Sequence, residues 1–87
     1  MKKKDFLEWL NLGNEIEFTF NDQLYFLEPD YEGTENSGII MYKLYLCNKN
    51  CSDILVIGGI DAVFNYKFDG NNSLSNCCEF LKDYCVL

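Results

Sequence analysis

The sequence predicts an α+β fold: an N-terminal helix, a four-stranded antiparallel meander sheet, and one or two C-terminal helices packed on one face. Three observations carry that prediction. Residues 15–28, EIEFTFNDQLYFLE, are two alternating runs around Asn21-Asp22, the pattern of a β-hairpin. Residues 39–47, IIMYKLYLC, alternate in the same way. The two ends of the chain space their apolar residues at helical intervals instead. With 87 residues, the chain (1–87) is one domain with one modest core.

Residues 5–12 read as a short helix. Asp5 can cap it, and Glu8 three residues later completes a capping-box pattern. Phe6, Trp9 and Leu10 form its apolar stripe, which places Trp9 in the core rather than in an interface. Gly13 supplies the left-handed position that ends it.

The hairpin follows. A two-residue loop favours a type I′ turn with positive φ at both central residues, which Asn and Asp tolerate. That turn fixes the register: Phe20 opposite Gln23, Phe18 opposite Tyr25, Ile16 opposite Leu27. One face then carries Ile16, Phe18, Phe20, Tyr25 and Leu27 and belongs to the core. The other carries Glu17, Thr19, Leu24 and Phe26.

Pro29 ends the second strand. Residues 28–38 read as a loop by composition, with Glu28, Asp30, Glu32 and Glu35 around Tyr31. The loop is either a solvated connection or a recognition loop with Tyr31 as its anchor. Residues 39–47 are the third strand, with Ile40, Tyr42, Leu44 and Leu46 toward the core and Met41, Lys43 and Tyr45 away from it. A turn at 48–52 leads to a fourth strand at 53–57, which Gly58-Gly59 breaks. Residues 60–67 fit helical and strand periods alike; a short helix over 61–66 is the favoured reading. A turn at 69–72 precedes a closing helix over 73–84, capped by Asn72 or Ser73. Its stripe is Leu74, Cys77, Cys78, Leu81 and Tyr84.

Composition narrows the function. Net charge is −7, and without Lys2, Lys3 and Lys4 the other four lysines face fourteen acidic residues, leaving that body at −10. Such a surface repels phosphate backbones, so direct nucleic-acid binding is not expected and a basic protein partner is. With no His, neither a Ser-His nor a Cys-His pair can form. No phosphate-binding glycine motif is present. These absences argue against an enzyme and give no cofactor. No run approaches the roughly 18 to 20 apolar residues of a membrane helix. MKKKDFLEWL runs into Asp5 and Glu8 without the apolar stretch of a signal peptide, so a cytoplasmic location is expected.

The five cysteines, Cys47, Cys51, Cys77, Cys78 and Cys85, read as reduced thiols, mostly core residues. The rival reading is zinc bound by Cys47 and Cys51 with Cys77-Cys78 or Cys85. The spacing of the first pair is one residue too long for a zinc knuckle, and adjacent helical cysteines diverge by about 100°, so no metal is expected.

DFLEWLNLGNEIEFTFNDQLYFLE, followed later by YKFDGNNSL, resembles small proteins of phages and mobile elements in low-GC Gram-positive bacteria. Those run from a short helix into an I-x-F-x-[FY]-N-x-x-x-[FY] hairpin and show a D-G-x-x-[SL] turn before a last helix. The likeness covers the two ends of the chain and carries no catalytic residues. Ten Asn, seven Lys and no Arg fit an AT-rich genome. The resemblance implies an inhibitor of host defence, as anti-CRISPR proteins are. The resulting expectation is a non-enzymatic, acidic protein-binding module that occludes a basic surface of a nucleic-acid-handling partner. Its site is Leu24, Phe26, Glu28, Asp30, Tyr31, Glu32, Glu35, Met41 and Tyr45. The alternatives are a homodimeric accessory protein of a mobile element, closed through that mixed face, and a zinc-bound adaptor.

Overall fold

A computed structural model describes residues 1–48 and 52–87. The fold is α+β. Along the chain run α1 (Lys3–Asn11), β1 (Ile16–Phe20), β2 (Gln23–Pro29), α2 (Tyr31–Ser37), β3 (Met41–Cys47) and β4 (Ser52–Gly59). Then come α3 (Ile60–Asn65), β5 (Lys67–Asp69), β6 (Asn72–Ser73), α4 (Leu74–Cys77), a 3-10 turn (Cys78–Phe80) and β7 (Asp83–Val86). Among the described residues, five strands form one antiparallel sheet in the order β4-β3-β2-β1-β7, and β5 and β6 form a small hairpin of their own.

The β1–β2 hairpin has the expected register, residue for residue. Asn21 and Asp22 have φ of 50° and 62°, the type I′ geometry that two positive-φ residues allow. β3 and β4 extend it as a meander. Ile16, Phe18, Tyr25, Leu27, Tyr42 and Leu44 are buried on one face. Against them lie Phe6 and Leu10 of α1, Val63 and Phe64 of α3, and Leu74, Cys78 and Leu81.

Phe68 ties the small hairpin to the large one. Its ring meets Phe18, Phe20 and Tyr25 edge-on, with centroids 5.6, 5.5 and 4.8 Å away. Phe18 and Tyr25 stack at 5.1 Å across the β1–β2 ladder. Asn21 Nδ2 donates to Asp69 Oδ2 at 2.7 Å, joining the two turns.

Several expectations are corrected. The first helix starts at Lys3, so Asp5 lies in its first turn and is not its cap. Its end is as expected: Gly13 has φ 79°, and Gly13 and Asn14 donate back to Leu10 and Trp9. The acidic loop is a helix, α2, described below. The third strand begins at Met41, and Leu46 near its end is only half-buried. Gly58 and Gly59 do not break β4; they pair with Tyr42 and Met41, and Gly58 gives Ala62 of α3 the room a side chain would take. Residues 60–65 are helical, as favoured. Residues 49–51, including Cys51 and most of the expected turn, lie outside the described residues.

The largest correction is the C-terminus. Of the expected stripe, Leu74, Cys77, Cys78 and Leu81 are buried, but Tyr84 is exposed on a strand and the helix ends after one turn. Ser73 N donates to Asn76 Oδ1 at 3.0 Å at its start, and a 3-10 turn tightens its end. The chain then extends as β7, pairing Tyr84 with Phe18 and Val86 with Ile16, and Leu87 N bonds Glu15 O at 2.8 Å. The sheet therefore has a fifth strand. Helical spacing accounts for the buried residues as far as Leu81. Beyond it the unpaired edge of β1 decides, because its N–H and C=O groups need partners.

Two outcomes follow from this core. Phe18→Ala removes a ring that touches Tyr25 and Phe68, and denaturant unfolding should register a loss of about 3 to 5 kcal/mol. Tyr42 is buried, and its hydroxyl lies 2.9 Å from Leu10 O and 3.0 Å from Asn14 O, bonding β3 to the end of α1. Burial, and secondarily the Tyr31 phenol, pushes Tyr42 up to about 12 from 10.0. The native state thus holds this proton more tightly than the unfolded chain. The associated stability is whole below pH 10 and is lost as pH rises through about 12. Tyr42→Phe should lower stability at neutral pH by about 1 to 3 kcal/mol and flatten part of the alkaline loss. The buried Cys77 thiol, pushed up to about 11, supplies another part.

Candidate interaction face of the sheet

Alternation along the strands puts a second set of side chains on the face opposite α1, α3 and α4. The pairing arranges them in rows. Glu17, Phe26, Tyr45 and Ile54 form one row across β1 to β4. Thr19, Leu24 and Cys47 form the next, and Glu28, Lys43 and Ile57 the one on the other side. Phe26 and Tyr45 stack with centroids 6.3 Å apart and planes 29° from parallel. Burial, then a hydrogen bond to Glu28 and the charges of Glu28 and Asp30, raises the Tyr45 phenol.

β4 adds what sequence alternation did not reveal. The register shifts between Leu44 and Tyr45, so that Val56 faces Leu44 and Ile54 faces Tyr45. Leu55 is the extra residue of a bulge. Leu55 and Val56 both pack toward the core, while Ile54 and Ile57 are 51% and 50% exposed. Residues three apart cannot share a face of a regular strand; the bulge is what brings these two isoleucines together.

At one end of the face stands α2. Asp30 is its N-cap, with Oδ1 accepting from Gly33 N at 3.2 Å, and Gly38 at φ 76° closes it. Asp30 N donates to Met41 O at 2.8 Å and Met41 N to Thr34 Oγ1 at 2.9 Å, so the helix is an excursion pinned to the start of β3. A side chain at position 33 would collide with the Asp30 carboxylate, which is why glycine sits there, close to Met41. The polar composition that suggested a loop is a capped helix that buries no residue of its own. The Asp30-to-Gly38 cap pair was the available signal.

Of the nine expected site residues, Leu24, Phe26, Glu28, Met41 and Tyr45 share the open face. Leu24 is 41% exposed. Asp30, Tyr31, Glu32 and Glu35 belong to α2 and its cap. Tyr31 is 73% exposed and is not stacked with the Phe26–Tyr45 pair. The Asp30 carboxylate is engaged in capping, which leaves Glu32 and Glu35 as the free acids of that end. Residues 83–86, expected in the closing helix, are a strand of this sheet instead.

Among the described residues, no three His, Cys, Asp or Glu side chains gather as a metal cluster. Cys77 and Cys78 are buried on the helix side of the sheet, where burial raises both thiols. Cys47 and Cys85 are on the other face, three strands and one row apart, roughly 16 Å. No helix of the described residues is long and apolar enough to cross a membrane. Comparison with known proteins finds no matching family model, no matching curated protein and no matching solved structure.

Proposed function

We propose that this chain is a non-enzymatic binding protein that occludes a basic surface on a nucleic-acid-handling protein, in the manner of phage-encoded inhibitors of host defence. The observation that carries this reading is the uncovered sheet face. Its Phe26–Tyr45 stack and its exposed Leu24, Ile54 and Ile57 share their rows with Glu17 and Glu28, and α2 at one end of the face carries Glu32 and Glu35. Aromatic anchors within a polar rim are the usual make-up of a protein interface, and apolar groups held in the open favour a partner that covers them. Charge chooses the partner. Lys43 is the single lysine in the strand segments of this face, against the acids around it, so a basic surface is complementary and a phosphate backbone is not. The module needs only a rigid scaffold and this face.

The test is kinetic. A tagged chain captures its partner from a host lysate, and the pair is then measured purified. Reversing Glu32 and Glu35 should slow association several-fold and weaken its salt dependence, because exposed charges act mainly on encounter. Asp30 should be changed only to Asn, which retains the cap. Phe26→Ala or Tyr45→Ala should speed dissociation by about tenfold or more, as loss of an interface anchor does. Folded variants with unchanged rates would refute the proposal.

A further inference from the structure

We infer that the partner presents an amphipathic α-helix to this face, about 13 residues long, with lysine or arginine along one flank only. The inference rests on the open face being the binding surface, and three features of that face argue for it.

The first is hydrogen bonding. Within the sheet the backbone groups of β2 and β3 are taken up by their neighbours on both sides. The face therefore offers side chains alone. An extended segment laid on it would bury N–H and C=O groups without partners, at a cost for each. A helix satisfies its own backbone, and helices are what this chain itself packs on the opposite face.

The second is size. The apolar part spans β2 to β4, two strand spacings or about 10 Å, which matches the width of one helix. From Leu24 to the cap of α2 the face as a whole, the Glu28–Lys43 pair included, runs six residues along the strand, about 20 Å, or about 13 helical residues.

The third is charge. The β1–β2 side carries Glu17 and Glu28, and α2 at one end carries Glu32 and Glu35. The β4 side carries Ile54 and Ile57, both exposed. A helix lying along β3 would cross Lys43 and meet Glu17 and Glu28 on one flank, Ile54 and Ile57 on the other, and Glu32 and Glu35 at one end. One basic and one apolar flank is the complement.

The experiment uses the full chain and two synthetic peptides of identical leucine and lysine composition. One has leucines at helical spacing with lysines along one flank; the other alternates strictly. Fluorescence anisotropy gives affinities, and circular dichroism gives the helix gained on binding. The helically patterned peptide should bind at least about tenfold tighter than the alternating one and gain helix on the protein. Ile54→Lys and Ile57→Lys, each checked for native circular dichroism, should weaken it about tenfold. Leu12→Lys, exposed on the helix side, should leave it unchanged. Equal affinity of the two peptides would overturn the inference, because charge alone would then explain binding. So would insensitivity to both isoleucine variants, or a dimeric sedimentation mass that is lost in the Ile57→Lys variant, which would mean that a second copy covers the face. If the helical peptide fails while Phe26→Ala and Tyr45→Ala still speed dissociation of the captured partner, the helix inference falls and the face remains the binding surface.

Discussion

The turn at Asn21-Asp22 is the constraint on which the rest depends. Its positive φ values set Phe18 opposite Tyr25, and a slip of one residue would turn every side chain of one strand to the other face. With this register, the Phe18–Tyr25 stack faces the helices and becomes the platform on which Phe68 stands. Phe26 is placed beside Tyr45 on the other side by the same register. The core and the candidate interface are thus two consequences of one turn. The bond from Asn21 to Asp69 also makes that turn the point where the second hairpin is fastened.

The two faces are finished differently. On the core side, α1, α3 and α4 with the β5–β6 hairpin bury the aromatic and aliphatic set. Tyr42 carries the sheet's contact to the end of α1 through its hydroxyl. On the other side, among the described residues, only α2 approaches, and it touches the start of β3 without burying a residue of its own. A sheet with one covered face ordinarily alternates apolar inward and polar outward. Here Leu24, Phe26, Tyr45, Ile54 and Ile57 break that rule, and the acids around them keep an apolar patch within a strongly negative surface.

The hairpin was legible because period and turn chemistry agree there. Ile16 to Phe20, and Tyr25 and Leu27, alternate up to a turn whose residues suit positive φ. The stripe of the last segment was legible as burial but not as structure. Leu74, Cys77, Cys78 and Leu81 are inside as their spacing implies, yet the chain beyond is drawn into a strand by the open edge of β1. Local spacing cannot report that edge. α2 was hidden by its composition, since Gly33, Thr34, Asn36 and Ser37 suggest a loop while the caps Asp30 and Gly38 define a helix. Ile54 and Ile57 could not be assigned to one face from alternation, because the bulge at Leu55 depends on how β4 meets β3.

The most direct measurement is hydrogen–deuterium exchange of the chain alone and in complex with the basic protein it captures. The amides of β2, β3 and β4 are already slowed by pairing, so the difference between free and bound states is what matters. The account predicts added protection in α2 and in β2 to β4, with α1, α4 and the β5–β6 hairpin unchanged. Protection confined to α1 and α4, with α2 and the central strands indifferent to the partner, would contradict it.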